Sequence, residues 1–160
     1  MKFNAKQITK LALVAAIYVV ITLAVAPFSF GRMGGFQVRI SEAMTLLPFF
    51  WGEPAAIALW LGCMLANYIG GLGVIDIILG SALTLVAGLL TARTRNIYIA
   101  GIYPVVINAF GVALILYYTL ELPYWLSVFQ VAVGQFISVY VIGLLLVRIL
   151  RRYDFFDKYL

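Results

Sequence analysis

Few side chains in this chain can ionise, so those set among apolar residues carry most of its chemical possibilities. Arg39 and Glu42 are three residues apart, a spacing that puts both on one face of a helix. Asp76 follows a turn rich in glycine, with Gly70, Gly71 and Gly73. Asn67, Asn108 and Gln37 add amides, and Gln130, Gln135 and Tyr140 add further polar groups toward the C-terminal end. A carboxylate only accepts hydrogen bonds, a guanidinium only donates them, and an amide does both. Such a set suits noncovalent recognition of a small polar ligand, and its members can converge on one pocket. Each group also has a plainer reading. Arg39 can simply pair with Glu42. Asp76 can cap the helix it opens, where a carboxylate meets the helix dipole favourably. Gln130 and Gln135 can hydrogen bond between helices. Glu53, beside Pro54, reads as a helix-start charge and Glu121 as a solvated loop residue.

The same inventory excludes much. There is no histidine and a single cysteine, Cys63, set in an apolar run as a small buried hydrophobe. The residues offer no Ser–His or Cys–His pair, no zinc-ligand set and no glycine-rich phosphate loop of the GxxxxGK[ST] type. The sequence therefore reads as no enzyme, with no metal and no cofactor, and as unable to couple nucleotide hydrolysis to transport by itself.

The elements that must hold these groups are set by composition. Of 160 residues, 65% are hydrophobic and 11% charged, too few polar groups to cover a water-soluble domain. Uncharged windows cover residues 11–31, 54–75, 77–92, 96–120 and 122–147. Each approaches or exceeds the roughly 20 residues of a spanning helix, the third only if Asp76 is included. The expected helices are Gln7–Ala26, Arg39–Trp51, Pro54–Ile69, Ile75–Ala92, Ile97–Leu120 and Tyr124–Leu150. Pro54 and Pro123 suit helix starts. The fold expected is an all-α integral membrane protein, six transmembrane helices in one compact bundle, with residues 1–160 forming a single domain.

Charge placement argues for the short second crossing. The net charge of +5 forms no stripe of the kind that binds nucleic acid; the cations cluster at the ends of apolar runs. If residues 39–52 cross, then Lys2, Lys6, Lys10, Arg93, Arg95, Arg148, Arg151, Arg152 and Lys158 share the cytoplasmic side, and only Arg32 and Arg39 lie outside. The positive-inside rule thus favours six crossings with both termini cytoplasmic. The competing reading of the first run, a cleaved leader ending at Ala24-Val25-Ala26, is opposed by the length of the run and by Pro27 directly after it.

Two further features concern access and partners. The connection 27–38 mixes Phe28, Phe30 and Phe36 with Gly31, Gly34 and Gly35, which reads either as a lid over an outward-facing site or as an interfacial loop with its aromatics at the headgroups. Ala12 and Ala16 form a small-xxx-small pair, with Thr9 on the same face. Such a face lets another helix approach closely, either one of a partner chain or one of this bundle.

The string Gln37-Val38-Arg39-Ile40-Ser41-Glu42-Ala43, followed by Leu46-Leu47-Pro48-Phe49, is distinctive. With residues 61–67, LGCMLAN, and 76–81, DIILGS, it resembles the queuosine-precursor transporter family over nearly the whole chain. That family comprises substrate-binding S components of bacterial energy-coupling factor transporters. The resemblance implies a multi-pass protein of the bacterial plasma membrane, with an outer binding site under the first loop. It implies a ligand of the 7-deazaguanine class, queuine or a cyano- or aminomethyl precursor, held by residues drawn from Arg39, Glu42, Asn67, Asp76, Asn108 and Gln37. It further implies that Ala12 and Ala16 dock on a transmembrane T component, which works with two ATP-binding subunits. One carboxylate can accept both the N1–H and the exocyclic amine of such a base, and a second would favour a cationic aminomethyl group. A ring carbonyl wants a donor, which Arg39, Asn67 or Gln37 can supply. Aromatic faces would stack on the flat ring. The alternatives are an S component for another vitamin or flat heterocycle, and a non-transporting membrane scaffold that only recruits a partner helix.

Overall fold

The computed structural model describes residues 4–30 and 37–152. Helix α1 (Ala5–Ala24) starts on a reciprocal cap: the Asn4 side chain accepts from the Gln7 N–H at 2.9 Å, and the Gln7 side chain accepts from the Asn4 N–H at 3.1 Å. It stops two residues short of the expected Ala26. Pro27 has no N–H to offer the Leu23 carbonyl, and the chain turns into a single helical turn, α2 (Ala26–Ser29).

The Arg39–Trp51 segment is helical but wound differently from the expected α-helix. Residues Ile40–Leu46 form a 3₁₀ helix that passes into α3 (Leu47–Trp51). A 3₁₀ turn rises about 2.0 Å per residue against about 1.5 Å in an α-helix, so the tighter winding lengthens a short segment. All of Ser41–Leu46 is buried. Inside, the side chains of this segment must satisfy polar groups that water cannot reach. Thr45 Oγ1 donates to the Glu42 carbonyl at 2.6 Å, and the Ser41 and Thr22 hydroxyls share a hydrogen bond at 2.6 Å.

Four longer helices complete the described chain. Helix α4 (Glu53–Ile69) has Pro54 in its first turn, as expected. Helix α5 (Asp76–Ala92) opens as a π-helix over Asp76–Gly80. Helix α6 (Ile97–Leu120) is capped by Asn96, whose side chain accepts from the Tyr98 N–H at 2.9 Å. Pro104 lies inside α6 and leaves the Ala100 carbonyl without its usual donor; Thr91 of α5 supplies one through Oγ1 at 3.1 Å. Helix α7 (Tyr124–Arg152) carries a second π stretch, Ile137–Gly143.

The packing is sequential, α1 on α4, α4 on α5, α5 on α6 and α6 on α7, with the 3₁₀ segment set against the π stretch of α7. Two glycines of α7 make that last contact possible. A Cβ on Gly134 would collide with the Gln37 carbonyl oxygen, and one on Gly143 would press at 3.1 Å on both the Ala43 carbonyl oxygen and the Leu46 side chain. The strand of chain that carries Gln37, Arg39 and Glu42 is thus fixed by backbone proximity to α7.

The outer surface is apolar. Leu13, Val20, Tyr118, Trp125 and Phe129 are exposed, while Glu42, Asn67 and Asn108 are buried, the inverse of a water-soluble protein. Among the described residues three helices, Ala5–Ala24, Ile97–Leu120 and Tyr124–Arg152, are long and apolar enough to cross a membrane; Glu53–Ile69 and Asp76–Ala92 are shorter apolar helices.

Candidate functional site

A cavity of about 610 Å³ lies where the 3₁₀ segment, the end of α4, the 71–76 turn and the facing parts of α5, α6 and α7 meet. Its lining contains Gln37, Arg39, Glu42, Asn67, Asp76 and Asn108, all six residues singled out for ligand binding. Thr84, Val112, Leu116, Val131 and Gln135 add to its walls. The volume falls within the roughly 300–1,000 Å³ of small-molecule sites.

One wall is built around Arg39. Its Nη2 donates to Asn67 Oδ1 at 3.1 Å and its Nη1 to Cys63 Sγ at 3.4 Å. The guanidinium lies 5.4 Å from the centroid of the Phe30 ring, in cation–π range. Asn67 is committed at both ends of its amide, since its Nδ2 donates to the Asp76 carbonyl at 3.0 Å. It therefore ties Arg39 to the start of α5. A guanidinium has five N–H donors, and these bonds leave it several for other partners.

A second part of the wall is built around Glu42, which is 1% exposed. Tyr18 of α1 donates its hydroxyl to Oε1, and Asn108 of α6 donates through Nδ2 to Oε2 at 3.3 Å. Gln135 of α7 lines the cavity beside the same carboxylate. The residues of α1, α6 and α7 that meet here are far apart in sequence, and this carboxylate ties α1 to α6 beside α7.

Arg39, in extended backbone just before the 3₁₀ helix, and Glu42 within it both line the cavity, but they do not pair with each other. The one ion pair among the described residues is Arg93–Glu53, at 3.1 Å on the surface. Asp76 is half-buried on the cavity wall and lies in the first turn of α5, so its place on the wall and its place at the start of a helix hold together. Gln37 is also half-buried on the wall.

The remaining candidates separate. Phe30 is buried and lines the cavity, Phe28 is exposed, and Phe36 lies outside the described residues, as do the three glycines of that connection. Gln130 is half-buried and not on the cavity wall. Tyr140 is remote from it, donating its hydroxyl to the Tyr98 carbonyl at 2.6 Å and stacking on Phe136. Ala12 and Ala16 are exposed on α1; the alanine that packs inside the bundle is Ala15, against Gly62 of α4.

Sequence reasoning missed Tyr18, and it read Cys63 as a hydrophobe only. Cys63 is buried, but its sulfur also accepts from Arg39 and, at 3.5 Å, from Thr84 Oγ1. The available signal was spacing: Cys63 and Asn67 are four apart and so face the same way. Tyr18 carried no comparable signal, being one of ten tyrosines.

Comparison with known proteins gives the chain a family. A family model described as QueT transporter matches residues 8–152. The queuosine precursor transporter QueT of Lactococcus lactis subsp. cremoris (strain MG1363) is 29% identical over 169 aligned residues, covering 96% of this chain and 97% of that protein. No solved structure gives a significant match. The family is one of transporters and not of enzymes. This all-helical membrane protein belongs to the QueT transporter family.

Proposed function

We propose that the chain is the substrate-binding S component of an energy-coupling factor transporter, and that it takes up a queuosine precursor of the 7-deazaguanine class. The observation that carries this reading is the cavity between Arg39 and Glu42, in a chain whose Lactococcus lactis relative is named as a queuosine precursor transporter. A deazaguanine carries two neighbouring donors, N1–H and the exocyclic amine, next to a ring carbonyl that accepts. The Glu42 wall suits the donors and the Arg39 wall the carbonyl. Asp76, half-buried on the same cavity, suits the cationic aminomethyl group that one precursor carries. Phe30, beside Arg39, offers an aromatic face to a flat ring.

The remainder of the proposal concerns topology and assembly. Residues 1–160 form one membrane unit in the bacterial plasma membrane, crossing six times with both termini cytoplasmic, as the cation clusters favour. Ala12 and Ala16 form the docking face for a T component, which works with two ATP-binding subunits. What supports this role is their exposure on α1, with the internal contact of that helix made by Ala15 instead.

Calorimetry on the purified protein with queuine, its cyano- and aminomethyl precursors, and several unrelated flat vitamins tests the ligand class. Saturable binding confined to the deazaguanines is expected; binding of another heterocycle in their place would reassign the substrate. For topology, a cysteine placed at position 94 in a Cys63→Ala background should resist labelling from outside intact cells. Labelling there would sink the six-crossing arrangement.

A further inference from the structure

Among the described residues, three buried side-chain oxygens have no hydrogen-bond partner, on Ser29, Asn108 and Gln135. Two of them, Asn108 Oδ1 and Gln135 Oε1, belong to residues on the cavity wall, and both residues are more than nine-tenths buried. An unpaired buried carbonyl typically costs about 1–3 kcal/mol, so two beside one cavity call for an explanation.

The carboxylate between them supplies it. Both amides lie beside Glu42 on the cavity lining, and Asn108 donates to it through its Nδ2 at 3.3 Å. A carboxylate receiving donors from Tyr18 and Asn108 acts as an acceptor only, so an amide beside it, Asn108 by its hydrogen bond and Gln135 by its place on the same lining, favours presenting its NH₂ to it. The amide oxygens are thereby turned away from Glu42. Asn67, beside Arg39, makes the contrast plain: its oxygen takes Arg39 and its NH₂ takes the Asp76 carbonyl, so neither end is left over.

We infer that Asn108 Oδ1 and Gln135 Oε1 are the acceptors that read the paired N–H donors of the ligand, and that Glu42 is a positioning residue that fixes the orientation of both amides. The chemistry recognised is a 2-amino-pyrimidinone edge, in which a ring N–H and an exocyclic amine lie side by side. Two neutral acceptors hold such an edge without adding charge to a site that already contains one buried carboxylate. The inference rests on the reading of the cavity as a deazaguanine site, but assigns its recognition to different atoms. Tyr18 has a part in it: its hydroxyl donates to Oε1 of Glu42 and helps to hold the carboxylate in place.

A matched ligand pair separates this inference from the function it rests on. The probes are 7-deazaguanine and 7-deazahypoxanthine, which differ only in the exocyclic amine. The purified wild-type protein should prefer the former by at least about tenfold. Gln135→Met and Asn108→Leu remove the oxygens while keeping similar bulk, and one or both should reduce that preference to about twofold or less. Affinity for deazahypoxanthine should fall less than affinity for deazaguanine in the variant that loses the preference. Wild-type protein that binds neither probe contradicts the function itself. Wild-type preference retained in both variants contradicts only the assignment to the amides. Should the variants fail to fold, a structure of the wild-type protein with 7-deazaguanine decides the matter. Ligand donors on the two amide oxygens are expected; ligand donors on Glu42, or water on both amide oxygens, overturn the inference.

Discussion

The 3₁₀ segment Ile40–Leu46 divides two regions that share a backbone and differ in nearly everything else. On one side Glu42 enters the polar cavity with Arg39, Asn67 and Asn108. On the other, Ala43, Met44 and Leu46 border an apolar groove of about 460 Å³, completed by Leu13, Val14 and Ile17 of α1, Trp51 of α3 and Leu146 and Leu150 of α7. The groove asks only for shape, which many apolar side chains satisfy. The cavity asks for hydrogen bonds, each requiring one atom in one place, and a missing partner is costly where water and lipid cannot replace it. Irregular helix geometry follows the same division. The 3₁₀ segment, the π opening of α5 and the π stretch of α7 all lie beside the polar chemistry or pack on the segment that carries it. Such windings free or re-aim backbone and side-chain groups, and they recur at functional sites.

Mutations on the two sides should therefore behave unlike each other, and the largest effect is expected at Arg39. Arg39→Met removes the one cation on the cavity wall among the described residues and leaves Asn67 Oδ1 without its donor. Calorimetry should show deazaguanine affinity falling by at least about a hundredfold, near 2.7 kcal/mol. Leu13→Ala or Ile17→Ala in the groove, read the same way, should change it by no more than about twofold. Glu42→Gln and Asp76→Asn come next, each expected to cost more than about tenfold, some 1.4 kcal/mol. Glu42→Gln should hurt guanine-like ligands more than a ligand lacking the N1–H and amine pair, and Asp76→Asn should hurt the aminomethyl precursor more than the cyano one; equal losses within each ligand pair would leave the carboxylates without a part in selecting the ligand.

Gly134→Ala tests whether the cavity depends on the backbone that carries it. The new methyl group meets the Gln37 carbonyl, so the detergent-solubilised protein should lose about 1–3 kcal/mol of stability in thermal unfolding, with affinity reduced only a few-fold. An unchanged melting curve would mean that the Gln37 strand is not held against α7. The smallest effect on binding belongs to Ala12→Trp and Ala16→Trp. Both positions are exposed and off the cavity, so ligand binding should stay within about twofold while uptake by the assembled transporter is abolished. A joint fall in binding and uptake would make that face internal packing.

The division also governs how much could be read from the sequence. Helix positions follow from long apolar runs and proline placement, and these agree with the structure to within a few residues. Charged residues inside apolar runs are rare enough to mark themselves, which is why Arg39, Glu42 and Asp76 were legible as candidates for one site. Winding was not: the pattern of Ile40–Leu46 looks the same for a 3₁₀ and an α-helix, and packing against α7 decides between them. Residues of common type were hidden for a related reason. Tyr18 matters through a carboxylate 24 positions away in sequence, and Gln135, though legible as a polar group, gave no sign of which carboxylate it would share a cavity with; no local spacing reports neighbours at that range. Asn67 and Asn108 looked equivalent as amides, and only their partners distinguish them.

The central claim is that a deazaguanine binds between the Arg39 and Glu42 walls. Its most direct test is calorimetric titration of the aminomethyl and cyano precursors into the purified wild-type protein and into an Arg39→Met/Glu42→Gln double variant that retains its fold by thermal unfolding. One-site saturable binding to the wild type, with no measurable heat of binding in the double variant, is the expected result. Undiminished binding in the double variant would contradict the claim and move the ligand elsewhere in the protein.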